Sequence, residues 1–136
     1  MAKLPKLNRK KIIKKLDEVF SQYIRLRDSN AKWEVVCPLC GAKMHWKKAQ
    51  NMHFISRGVL KYRYSEKNCH AWCMRCNVIL NWNYIAYTRR MQKMYGIAYV
   101  DSIINDKQVF TISTPQLEKV LEYYTELRDN QLKRFS

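Results

Sequence analysis

The sequence predicts an α+β protein in which a small core of short strands lies between helices at the two ends of the chain. Near both ends, apolar residues recur every three or four positions, which indicates amphipathic helices. Short apolar segments bounded by turn-forming residues occupy the middle, where two Cys-x-x-Cys pairs also lie. With 136 residues, 1–136, the chain suits one domain.

The first element is a basic helix within residues 1–30. Its apolar stripe includes Leu16, Phe20 and Ile24, and its lysines are expected to face solvent. The polar run 28–30 ends the helix. The second segment of the domain is then a core over residues 31–95.

Two pairs of strands are expected in this core. The segments 33–36 and 42–46 flank the first cysteine pair. A further hairpin is predicted from 52–55 and 59–64, with the turn at 56–58.

Helices are predicted after the core. One runs from Val78 to Tyr95 and ends at Gly96, because glycine readily terminates a helix. The C-terminal helical segment, 96–136, contains a second start signal at Ser113, where a hydroxyl cap is followed by an early proline and by Gln116.

The two cysteine pairs predict a structural zinc site. Cys37 and Cys40 form the first pair, and Cys73 and Cys76 form the second. Each pair can supply two thiolates from a tight turn, and Gly41 allows the backbone to turn amides toward the sulfurs. Disulfides are the weaker alternative, because the chain has an odd number of cysteines.

Charge indicates a polyanionic partner. The chain carries 26 basic and 11 acidic residues, a formal net charge of +15. The excess is largest in the central segment, which therefore forms the positive face, and nucleic acid is the most suitable partner. No stretch approaches the roughly 18 apolar residues of a membrane span, so no membrane partner is expected.

The motifs around the second cysteine pair resemble those of the HNH, or ββα-metal, nucleases. His53 lies on a predicted hairpin, Asn68 lies five residues before Cys73, and Asn77 directly follows Cys76. The run from His53 to Arg57, then Arg63, and the run from Asn68 to Asn77 resemble the phage NinG or Rap recombination endonucleases more narrowly. The resemblance implies a zinc-bound HNH-like core in residues 31–95.

The resemblance also implies an activity and site residues. It implies a metal-dependent endonuclease that hydrolyses branched DNA such as Holliday junctions and D-loops. His53 would be the general base, Asn68 would hold the hairpin and orient the His53 ring, and Asn77 would bind a catalytic Mg²⁺ or Mn²⁺ ion. His70 belongs to the motif, with a structural role at least as favoured as a catalytic one. A packed core histidine at position 53 and a helix cap at position 77 are the structural alternatives.

The expected DNA contacts are basic residues of the central segment: Arg57, Lys61, Arg63, Arg75, Arg89 and Arg90. Junction enzymes often work as pairs, so a homodimer formed through the terminal helices is considered, with packing of those helices on each other as the alternative. The expected location is the cytoplasm, that of the host cell if a phage encodes the chain.

The chain departs from these families at the metal-binding positions. Related sites often carry an acidic residue directly before the base histidine or three residues before it, where this chain has Met52 and Gln50. A non-catalytic zinc-stabilised DNA-binding protein derived from an HNH nuclease is therefore the alternative function. A zinc-stabilised interaction or transcription module is a third.

Aromatic residues accompany the basic segment. Trp46, Trp72, Trp82, Tyr84 and Tyr87 lie within or beside it. Some could stack on unpaired bases. Most are expected to belong to the core, since a small domain needs large side chains to bury enough surface.

Overall fold

A computed structural model describes residues 8–78 and 80–134. Residues 1–7 of the predicted basic helix lie outside the described part. The strands are β1 (Glu34–Val36), β2 (Lys43–His45), β3 (Gln50–His53) and β4 (Cys69–Trp72). The helices are α1 (Asn8–Arg27), α2 (Leu60–Arg63), α3 (Met74–Val78), α4 (Leu80–Tyr95), α5 (Ile97–Ile104) and α6 (Thr114–Lys133). The predicted α+β class is confirmed.

The strands form two small antiparallel sheets, β1–β2 and β3–β4. In the second sheet, Met52 lies opposite His70, and His53 lies opposite Cys69. Successive side chains on a strand point to opposite faces. The register therefore places the two histidines on opposite faces of the β3–β4 sheet.

The predicted partner of the strand around Met52 is wrong. Residues 60–63, expected to form a strand, form the short helix α2, and β4 pairs with β3 instead. All four residues of β4 are buried. A strand buried on both faces shows no apolar and polar alternation, so the local pattern did not reveal it.

The helix-boundary predictions agree better with the structure. The hydroxyl of Ser113 accepts a hydrogen bond from the Gln116 amide, and the Gln116 side chain accepts one from the Ser113 amide, a complete capping box. Gly96 ends α4 with a φ of 91° and leads directly into α5. The helix predicted from Val78 is divided between α3 and α4.

The terminal helices pack on each other. Leu16 and Phe20 of α1 share a buried cluster with Leu117 and Tyr124 of α6. The apolar stripes of α1 and α6 therefore pack against each other, as the alternative to a dimer interface predicted. None of the helices in the described ranges is both long and apolar enough to span a membrane.

A second cluster fixes the β3–β4 sheet on α4 and α5. Met52 and Trp72 of the sheet contact the cluster that contains Tyr87 and Met91 of α4 and Val100 of α5. The sheet is thus held between α1 on one side and α4 on the other, and this arrangement sets the environment of its two histidines.

Candidate functional site

The four predicted zinc ligands form one cluster. The Sγ atoms of Cys37, Cys40, Cys73 and Cys76 all lie within 4.8 Å of one another. Thiolates at about 2.3 Å from a tetrahedral zinc are about 3.8 Å apart. The 3.6 Å between the sulfurs of Cys40 and Cys73 is close to that value. The geometry fits a structural metal ion such as zinc.

Backbone amides favour the thiolate form of Cys37, whereas burial raises the pKa values of the Cys73 and Cys76 thiols. Burial raises the pKa of the Cys37 thiol, but the amides of Cys73, Cys40 and Leu39 donate toward its sulfur and lower the pKa to about 7. Gly41 adopts a φ of 78°, and its amide donates to the Cys37 carbonyl at 2.9 Å. This confirms the left-handed turn expected after the first pair.

His53 lies at the end of β3 in a groove of about 480 Å³. We call this the His53 groove; its lining comprises Asn51, Met52, His53, Phe54, Ser56, Arg57, Asn77 and Tyr84. An adjoining space of about 220 Å³, the α1 cleft, shares Asn51, His53 and Arg57 and is completed by Asp17, Phe20, Ser21 and Gln50. The His53 ring therefore borders two polar depressions.

One nitrogen of His53 is fixed by the backbone. Nε2 lies 2.9 Å from the carbonyl oxygen of Arg63. A carbonyl can only accept, so Nε2 carries the proton and Nδ1 has the lone pair when the ring is neutral. Burial lowers the pKa of His53, and the nearby charges of Arg57 and Arg63 lower it further. The ring is therefore neutral at pH 7 and able to accept a proton at Nδ1.

Asn68 holds the chain that surrounds His53. Its side-chain oxygen accepts from the Ile55 amide at 2.7 Å, and its nitrogen donates to the carbonyls of Ile55 and Tyr62 at 3.0 and 3.1 Å. Asn68 is fully buried. Its hydrogen bonds close the loop between β3 and α2 and so position the Arg63 carbonyl. The expected contact between Asn68 and the His53 ring is not formed.

Asp17 is a carboxylate near the site that the sequence did not reveal. Arg63 donates to its two oxygens at 3.0 and 2.5 Å, Arg57 donates at 3.0 Å and the Tyr64 hydroxyl at 2.8 Å. Burial raises the pKa of Asp17, but these donors lower it more, so the net direction is downward. The sole sequence signal was an acid interrupting the basic face of the first helix.

His70 lies on the other face, where it lines a depression of about 230 Å³ together with Asp28 and Arg90. Nδ1 lies 3.0 Å from the Tyr87 hydroxyl, and Nε2 lies 2.9 Å from the Tyr95 hydroxyl. The Tyr87 hydroxyl donates to the Met52 carbonyl at 2.8 Å, so it accepts from Nδ1. Burial lowers the pKa of His70 to about 4. Both ring nitrogens are hydrogen-bonded to tyrosine hydroxyls, which favours the structural interpretation of His70 over the catalytic one.

The predicted DNA contacts occupy different surroundings. Arg57 is well exposed and lines the His53 groove. Arg63 is only 19% exposed and is paired with Asp17. Lys61 forms an ion pair with Asp106. The remaining three, exposed on α3 and α4, are Arg75, Arg89 and Arg90.

The positions expected to carry an acid differ from each other. Met52 is 2% exposed and points into the core with Trp72. Gln50 is half-buried and lines the α1 cleft with Asp17 and His53. An acid could therefore face this cleft from position 50, whereas position 52 belongs to the core.

Asn77 is half-buried and lines the His53 groove. The backbone amide of Asn77 donates to the Cys73 carbonyl at 3.0 Å, which anchors Asn77 to the cysteine cluster. Among the described residues, the four cysteines form the metal-binding group of His, Cys, Asp or Glu side chains. A divalent ion in the groove would therefore have the Asn77 oxygen as its protein ligand and take its remaining ligands from water and substrate oxygens, without the carboxylates through which Mg²⁺ usually binds.

Comparison with known proteins finds sequence similarity along most of the chain. Protein ninG of Salmonella phage P22 is 26% identical over 118 residues, which cover 86% of this chain and 56% of the phage protein. The chain thus spans little more than half the length of that relative. No solved structure gives a significant match. The family model described as "Bacteriophage Lambda NinG protein" matches residues 2–134. The chain therefore belongs to the bacteriophage NinG family.

Proposed function

We propose that this protein is a metal-dependent endonuclease that selects branched DNA, with an HNH-type site centred on His53. The observation that carries the proposal is the state of the His53 ring. Nε2 is held by the Arg63 carbonyl, and the ring borders a groove that also contains Arg57 and Asn77. A neutral imidazole beside a basic residue and an oxygen ligand is suited to phosphodiester hydrolysis.

Each side chain has a distinct role in this mechanism. His53 takes a proton from water at Nδ1, the water oxygen attacks phosphorus, and the bond from phosphorus to the 3′ oxygen breaks. Arg57 neutralises charge on the non-bridging oxygens. A divalent ion bound through Asn77 would stabilise the departing 3′ oxygen. The protein otherwise supplies position and charge.

Asp17 enters the mechanism through the orientation of the base. It binds the Arg63 guanidinium, and the Arg63 carbonyl fixes the His53 ring. Asp17 is therefore a positioning residue. It also competes with phosphate for Arg57, so substrate binding requires Arg57 to exchange an exposed ion pair for a phosphate contact.

Branched DNA as the substrate class rests on the family resemblance and on charge. The segment 31–95 contains twelve basic and two acidic residues, enough to contact several phosphates at once. A DNA-binding protein without cleavage is the second candidate. It is favoured by the ion pairs of Asp17, which already engage the carboxylate nearest His53.

The test uses zinc-loaded protein and three labelled DNAs of matched sequence: a four-way junction, a duplex and a single strand. Junction nicking that requires added Mg²⁺ or Mn²⁺ and is absent from a parallel His53→Ala preparation supports the nuclease. Junction binding without nicking under any of these ions supports the binder. Equal cutting of all three DNAs would contradict structure selection.

A further inference from the structure

Tyr84 presents an aromatic ring at the wall of the His53 groove. It belongs to α4, and its side chain lines the groove with His53, Arg57 and Asn77. The residue is 40% exposed. An aromatic surface thus lies within the same depression as the proposed base, metal ligand and phosphate contact.

One face of the Tyr84 ring packs against a buried aromatic residue. It stacks on Phe54 with the two ring planes only 4° apart and the centroids 5.2 Å apart. Phe54 is 2% exposed and makes an edge contact with the buried ring of Tyr87 at 5.3 Å. One face of Tyr84 therefore rests on a fixed core, so its accessible surface needs no reordering before a planar ligand stacks on it.

Three of the other aromatic residues considered for stacking are too buried to offer this surface. Trp46, Trp72 and Tyr87 are 8%, 1% and 1% exposed. The side chain of Trp82 lies outside the described part of the structure. Tyr84 is therefore the described member of the set predicted from sequence that combines exposure with a place in the groove.

We propose that Tyr84 stacks on an unpaired nucleobase adjacent to the phosphate bound in the His53 groove, and that this contact selects DNA with unpaired nucleotides. The inference rests on the proposed function, since it takes DNA as the ligand. A base inside a duplex has both faces covered by its neighbours, whereas a base at a gap or branch point has a free face. Stacking is also tolerant of sequence, which suits recognition of structure.

The experiment measures binding without added divalent ion, so that no DNA is cut. Zinc-loaded protein is titrated against a fluorescent duplex with a short gap and against the fully paired duplex of the same length. Tyr84→Ala should bind the gapped DNA about tenfold more weakly and the paired duplex within about twofold of wild type. Tyr84→Phe should behave as wild type, because the ring face makes the contact.

Two further variants separate stacking from folding. Tyr84→Leu keeps an apolar side chain against Phe54 but has no aromatic face, so it should show the same selective loss. Tyr123→Ala removes a tyrosine of α6 that is 53% exposed and lies outside the groove, and it should change neither affinity. Zinc content and circular dichroism of each variant verify that it is folded.

A second readout places the base on the ring. 2-Aminopurine in the gap should lose fluorescence when wild-type protein or Tyr84→Phe binds, and should keep it with Tyr84→Leu. Equal losses of affinity on gapped and paired DNA, or unchanged binding by both Tyr84→Ala and Tyr84→Leu, would overturn this inference alone. Failure of wild-type protein to bind any DNA would overturn both this inference and the proposed function.

Discussion

The two faces of the β3–β4 sheet carry a histidine each, and the chemistry of the two rings differs. His53 has one nitrogen fixed by the Arg63 carbonyl and a lone pair at the other, beside a polar groove. His70 has both nitrogens bound to tyrosine hydroxyls and is 9% exposed. The same residue type, one register position apart, thus has one nitrogen available on one face and both nitrogens engaged on the other.

This contrast shows why a motif alone cannot assign a catalytic histidine. Both residues belong to the stretch that resembles the HNH nucleases. The strand register sends His53 toward α1 and His70 toward α4, where the hydroxyls of Tyr87 and Tyr95 engage both nitrogens of the His70 ring. The neighbours brought by α1 and α4 come from distant parts of the sequence, so they decide the role after folding.

Loss of the metal should have the largest effect, because it should unfold the β3–β4 sheet and so disrupt the surroundings of both histidines. Cys73 directly follows β4, so a metal bound by the four cysteines would anchor the strand that carries His70 and that pairs with the strand of His53. Structural zinc in small domains contributes about 10 kcal/mol or more to folding. Metal analysis should find about one zinc per chain, and Cys73→Ser should lose both the zinc and the cooperative melting transition.

Cys69 provides the matched control for that prediction. It is fully buried, lies outside the metal cluster, and burial raises the pKa of its thiol. Cys69→Ala should keep zinc and lose only about 1–2 kcal/mol of stability. A folded Cys73→Ser protein that melts as wild type without metal would show that the cluster is not needed for folding.

The second effect separates the two histidines in catalysis. His53→Ala should reduce cleavage by about 10²–10⁴-fold, the usual contribution of a general base, with junction affinity and zinc content close to wild type. His70→Gln should cut within a few-fold of wild type at a temperature where it is folded. The measurement is the single-turnover rate on a four-way junction. The opposite ranking would reverse the roles given to the two faces.

The third prediction concerns Asp17, whose replacement should slow cleavage but strengthen DNA binding. Asp17→Asn should slow cleavage by about tenfold, because the Arg63 carbonyl no longer holds His53 firmly. It should at the same time tighten DNA binding, since Arg57 and Arg63 are freed for phosphate. Single-turnover rates and fluorescence anisotropy measure the two changes. Glu118→Gln, an acid on α6 outside the groove, is the control for charge alone.

The sequence was most informative where local rules determine the structure. The capping box at Ser113, the turn at Gly41 and the four clustered cysteines depend on residues close together or on fixed ligand spacing. The sequence did not reveal that β3 pairs with β4, because β4 is buried on both faces and shows no alternation of apolar and polar residues. Asp17 was missed because its contact with Arg63 joins residues that only the packing of α1 brings together.

The smallest effect is the pH dependence of stability, which tests whether burial keeps the His70 ring neutral in the folded protein. Burial lowers the pKa of His70 to about 4, against 6.5 when exposed, with Asp28 opposing the shift and Arg27 and Arg90 adding to it. As the pH falls below 6.5, the unfolded chain therefore binds a proton that the folded chain does not. Stability is fully retained above this pH and declines toward pH 4.

The expected contribution from His70 is a loss of about 1.3 kcal/mol between pH 7.5 and 5.5, because each pKa unit corresponds to about 1.4 kcal/mol. Urea unfolding of wild type and of His70→Gln, which cannot titrate, gives this value as the difference between their pH slopes. The range stops at pH 5.5 so that the zinc thiolates stay deprotonated. Equal slopes in the two proteins would mean that water reaches the His70 ring, and the contrast between the two faces would then rest on His53 alone.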